Sequence, residues 1–166
     1  MRITSTSLRF AGLMIFTACT RETGKSISQD RSSDSSFASV QERGGMAMGV
    51  DQYTSSHVFD TTPDGGRISL QRDTADSIGV QQIRTHMRLI QHSFEAGDFA
   101  APSFVHNRNM PGTDVMAQKR NAIEYSYEDL PRGGAVVIKT KDAEALNAIS
   151  EFLNAQRMDH HSPGMQ

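Results

Sequence analysis

The chain has 166 residues, with seventeen Lys plus Arg against nineteen Asp plus Glu and a formal charge of −2. That length holds one domain of modest core, with or without a tail, and the balanced charge excludes the basic footprint of a nucleic-acid binder. A single Cys excludes an internal disulfide and every Cys-x-x-Cys metal or redox motif.

The chain opens on a basic start, Arg2 and Arg9, followed by the apolar run Phe10-Ala-Gly-Leu-Met-Ile-Phe16. The run is too short for a permanent membrane span and has the form of a signal segment. It ends in Thr17-Ala18-Cys19, a small residue before a Cys, which resembles the lipobox of bacterial lipoproteins; Phe16 stands where Leu, Val or Ile is usual. Residues 1–18 therefore read as a lipoprotein-type signal peptide and Cys19 as the lipidated first residue. The expected location is exported, periplasmic or at the cell surface, anchored to a bacterial membrane through that lipid alone. Loss of Arg2 and Arg9 leaves fifteen basic against nineteen acidic residues, a mature charge of −4. An exported chain also gains by having no second thiol.

Residues 19–56 are polar, and seven of the fourteen residues from Ser26 to Ser39 are Ser. Such a stretch buries too little apolar surface to offset chain entropy, so it is expected as a flexible tether. Met46 and Met48 in Gly-Gly-Met-Ala-Met-Gly carry thioethers, soft metal ligands, but the setting reads as a Gly-rich spacer.

Periodic structure runs from 57 to 161. His57-Val-Phe59 and Arg67-Ile-Ser-Leu70 flank Thr61-Thr-Pro-Asp-Gly-Gly66, a hairpin with the glycines in its turn. Asp73 or Thr74 caps a helix that runs to about Ala96 and stops at Gly97. Its buried stripe is Ile83, Met87, Ile90 and Phe94, which fall within about 60° on a helical wheel. Residues 97–121 show no clean period beyond a short helix from Asp114 to Asn121, and an ordered segment that long and irregular is often functional. Ile123, Tyr125 and Tyr127 alternate on one strand face. Asp129-Leu-Pro-Arg-Gly-Gly134 turns the chain into Ala135-Val-Val-Ile138. Thr140 or Asp142 then caps a last helix from Ala143 to about Met158, and residues 162–166 read as a disordered tail. The order is ββαββα, two hairpin–helix units. The expected class is α+β, a four-stranded antiparallel sheet with helices on one face.

No Walker loop, Gly-x-Gly-x-x-Gly, Gly-x-Ser-x-Gly or His-Glu-x-x-His occurs, so no catalytic residue is assigned. Asp98, Asp114, Glu124 and Glu128 read as solvated surface. The chemistry left is in six His residues. On the first helix, His86 falls at the edge of the apolar stripe and His92 opposite it. On the last, His160 falls in line with Leu153 and His161 outside it. His106 and Met110 lie in the irregular segment. A cluster of His86, His106, Met110 and His160 would suit copper, or zinc without the thioether.

The stretches His57-Val-Phe-Asp-Thr-Thr-Pro-Asp-Gly-Gly66, Ile83-Arg-Thr-His86, Gly97-Asp-Phe99, His106-Asn-Arg-Asn-Met-Pro-Gly112, Tyr127-Glu-Asp-Leu-Pro131 and Asp159-His160 resemble a family of small uncharacterised exported bacterial proteins. Some of its members bear the name aspartate carbamoyltransferase. The Ser-Thr-Arg-Thr phosphate loop and the two α/β domains of that enzyme are not in this chain, so the resemblance implies no catalytic residue. Three functions stay open: a lipoprotein that binds or handles copper or zinc, a non-enzymatic envelope module for a protein partner with incidental His, and a small hydrolase or lyase using His86 or His106 as general base.

Overall fold

A computed structural model describes the backbone of residues 24–162 and the side chains of residues 35–162. The element order is α1 (Gly24–Met48), β1 (Ser55–Thr62), β2 (Gly65–Arg72), α2 (Ser77–Glu95), α3 (Ala100–His106), α4 (Thr113–Gln118), β3 (Ile123–Leu130), β4 (Gly133–Thr140) and α5 (Ala143–Asp159). The strands form one antiparallel sheet in the order β1-β2-β4-β3. This is the expected α+β arrangement of two hairpin–helix units, with β2 and β4 joining them edge to edge.

Strand alternation divides the sheet. One row across it is Phe59, Ile68, Val136 and Tyr127, in register from β1 to β3. This face packs against Ile83, Met87 and Phe94 of α2 and Ile149, Phe152 and Leu153 of α5, all buried. Full burial of one such side chain contributes about 1.5–3 kcal/mol. The next row, Asp60, Arg67, Val137 and Ser126, faces the other way, and Arg67 pairs there with Glu128 at 2.7 Å.

The hairpin loops are Pro63-Asp64 and Pro131-Arg132, so the glycine pairs expected in the turns instead open β2 and β4. Their small size is needed for close approach: a Cβ on Gly66 would lie 2.2 Å from Leu153 Cδ1, and one on Gly134 2.7 Å from the Tyr127 ring. Asp142 caps α5 by accepting from the N–H groups of Glu144 and Ala145. The residue before α2 is Asp76, not Asp73 or Thr74.

The tether expectation for residues 19–56 does not hold where the chain is described. Gly24–Met48 is helical, and Val40, Gly44, Met48 and Val50 are buried. The sequence carries few apolar residues there, but Phe37, Val40, Gly44 and Met48 recur at helical spacing and give one packing face. The Arg43 Nε–H donates to the Val105 carbonyl at 2.6 Å, tying α1 to α3. At the other end, the Ser162 hydroxyl donates to the His57 carbonyl at 2.5 Å, so the fold includes the first residue of the expected tail. Residues 163–166, and the signal segment with Cys19, lie outside the described residues. No described helix is long and apolar enough to cross a membrane.

The irregular segment 97–121 resolves into two short helices. Asn107, with φ 51°, ends α3 in left-handed geometry. Gly112, with φ 79°, starts α4, and a Cβ there would fall 2.1 Å from the Ala148 carbonyl oxygen. Glycine is thus what lets α4 seat against α5.

Candidate functional site

Strand phase, helix phase and one helix end bring four His to one cavity. His57 shares the inner face of β1 with Phe59. His86 projects from α2, His106 is the last residue of α3, and His160 follows the final turn of α5. All four line a cavity of about 60 Å³ walled by Phe59, Met87, Phe94 and Phe152, with Ala47 and Met48 of α1 on one side. No Asp, Glu, Lys or Arg lines it. The volume accepts a few water-sized groups.

The ends of β1 and α5 hold two of the rings. Arg157 donates from Nε and a terminal nitrogen to the Phe59 carbonyl, at 3.0 and 2.7 Å, and Ser162 bonds the His57 carbonyl. These bonds cover the free edge of β1 and set the His57 and His160 rings 4.9 Å apart between centroids. His160 also meets the His106 ring edge-on at 5.1 Å.

His106 is held at both nitrogens. Nδ1–H donates to Asp159 Oδ2 at 2.8 Å, and Nε2 stands 2.7 Å from the Gln156 amide oxygen. Arg108 clamps the same Asp159 oxygen at 2.6 Å. The other three rings differ: none of His57, His86 and His160 makes a side-chain hydrogen bond with a described residue. The His57 Nδ1 is fully buried without a partner.

Burial keeps the His57, His86 and His160 rings neutral. It lowers His86 from the ordinary value near 6.5 to about 4. It lowers His160 to about 4 as well, with the neighbouring His106 adding to the shift and Asp159 opposing it. His57 is pushed well below its ordinary value, first by burial and then by His160, His86 and His106. Burial also lowers His106, against Asp159 and Gln156, which both favour its proton.

Of the four candidate ligands, the structure brings together His86, His106 and His160. Met110 is buried in the main core and does not line the cavity, because the left-handed Asn107 and the turn before α4 redirect the chain after His106. The methionines that line the cavity are Met48 and Met87. His92 is exposed beside Glu95, at 3.4 Å, and the exposed His161 stacks on Phe37 at 4.4 Å. Among the described residues, no three His, Cys, Asp or Glu side chains are positioned, as they stand, to hold a metal ion. No family model, curated protein or solved structure matches the chain.

Proposed function

We propose that the chain is an envelope lipoprotein whose domain binds a first-row transition metal in the four-histidine cavity, with His57, His86 and His160 as ligands. One observation carries this reading: three imidazoles, none bonded to another described residue, line one apolar cavity in neutral form. A buried polar atom left without a partner costs about 1–3 kcal/mol; the His57 Nδ1 is such an atom, and a ligand in the cavity would satisfy it. Neutral imidazole is the form a metal takes, and three nitrogen donors suit zinc or copper. Among the described residues no three such side chains stand ready to hold an ion, so coordination would require these rings to reorient. His106, bonded at both nitrogens, is a positioning residue that fixes the wall against which His160 rests. The stretches that carry the family resemblance also contain all four cavity His residues. The anchored location rests on Phe16-Thr-Ala-Cys19.

A hydrolase or lyase reading is favoured by one feature, the His106–Asp159 pair beside a cavity. Its weakness is that the other nitrogen of His106 faces Gln156. Metal analysis of the full chain purified from envelopes without chelator separates the two. The metal reading expects about one copper or zinc per chain, lost in the double variant His57→Ala/His160→Ala. Protein that carries no metal and takes up neither ion at micromolar concentration contradicts it. In the same cells, Cys19→Ser is expected to shift the protein from the membrane to the soluble fraction; unchanged membrane association contradicts the lipid anchor.

A further inference from the structure

The cavity also restricts which ion the site takes, an inference that rests on the metal reading above. Two properties decide it. First, the walls are apolar and no carboxylate lines them. Asp159, which bonds the cavity residue His106, is also engaged by Arg108. Neutral imidazoles cannot cancel an ion's charge, and the cost of burying that charge grows with its square. A dication is therefore penalised about four times as heavily as a monocation in the same walls. Second, two methionines line the cavity, and the Met48 sulfur accepts only a long contact from the Gln52 amide at 3.9 Å. Met48 is buried on α1 and borders His86 in both the main cavity and the adjoining surface groove, and Met87 is buried on α2 one residue beyond His86. Thioethers are soft donors that select cuprous copper over harder divalent ions.

We infer that the site binds Cu(I), with His57, His86 and His160 supplying nitrogen and Met48 supplying sulfur, and that it discriminates against Zn(II). α1, a segment of Ser-rich composition, thereby contributes a ligand as well as a wall.

The test uses the full chain carrying Cys19→Ser, which removes its only thiol as a competing copper ligand. Anaerobic Cu(I) titration against a chromogenic chelator and Zn(II) titration against an indicator are run on this protein and on Met48→Leu and Met110→Leu. Leu nearly conserves the volume of Met, so packing is retained. The expected result is one Cu(I) per chain, bound at least 100-fold more tightly than Zn(II). Met48→Leu should weaken Cu(I) binding at least tenfold and leave Zn(II) unchanged, and Met110→Leu should change neither. X-ray absorption at the copper edge of the protein with Met48 intact should show a sulfur scatterer beside nitrogen, a readout that does not depend on the variant folding. Zinc bound as tightly as copper, or copper with nitrogen neighbours only, overturns the Cu(I) assignment and leaves a metal site standing. Failure to bind either ion at micromolar concentration overturns the metal reading itself.

Discussion

Removing one imidazole at a time separates the roles of the cavity histidines. His57→Ala, His86→Ala and His160→Ala are each expected to weaken metal binding at least tenfold, about 1.4 kcal/mol, in a direct titration. His92→Ala is expected to leave affinity unchanged, because that side chain is 71% exposed and meets only Glu95. Equal effects at His86 and His92 would contradict the site. Helical phase alone set His86 and His160 toward the core and His92 away from it, and the structure agrees. His57 was legible by the same logic: two residues before Phe59 on a strand, it must share the buried face. The turn signal Thr61-Thr-Pro-Asp-Gly-Gly66 dominates that segment, however, and the run His57-Val-Phe59 is too short to display its faces by alternation alone. Met110 is grouped with His106 in the sequence because both lie in the irregular segment 97–121, and there the sequence shows no period that fixes direction. The segment is ordered instead: left-handed Asn107 ends α3 immediately after His106 and turns the chain that carries Met110 away from the cavity.

Both hairpins and the helices α2 and α5 were readable from period and punctuation, since alternation and the Ile83-Met87-Phe94 stripe agree with local propensity. α1 was not, because its packing face is spread over a polar, Ser-rich stretch and includes a glycine. A chain beginning at Asp51 loses the buried Val40, Met48 and Val50. The expected cost is a few kcal/mol, roughly 10 °C or more in Tm by calorimetry. A truncated chain as stable as the parent would mean that α1 does not pack on the domain. Gly112→Ala tests the junction of α4 and α5. At φ 79°, with the Ala148 carbonyl 2.1 Å from the new Cβ, the substitution should cost about 2–4 kcal/mol in urea unfolding. A loss below about 1 kcal/mol would contradict that close seating.

The buried imidazoles give the apo domain an acid-side weakness. His86 and His160 sit at about 4 in the fold against about 6.5 when unfolded. Between these values the unfolded chain binds more protons, so stability rises with pH. The contribution is complete above about pH 6.5 and is lost as pH falls toward 4, by up to about 3 kcal/mol for each ring. Arg108, Asp159 and His161 lie nearest these rings as further charged or titratable groups. Asp129 and Asp142 are held below their ordinary value, Asp129 mainly by the Tyr127 hydroxyl and Asp142 mainly by the Ala145 N–H. Their contribution falls away only below about pH 4, so the window above it belongs to histidine. The urea midpoint of metal-free protein is expected to drop steadily from pH 7 to pH 4.5; a flat profile would show that the rings are not buried in neutral form. Metal capture by these rings is most directly tested by nuclear magnetic resonance of the imidazole nitrogens during anaerobic addition of one equivalent of Cu(I), a diamagnetic ion. The ring signals of His57, His86 and His160 are expected to shift together and saturate at one equivalent, while those of His92 and His161 stay in place. Movement confined to His92 and His161, or no movement at any ring, would contradict the four-histidine cavity as a metal site.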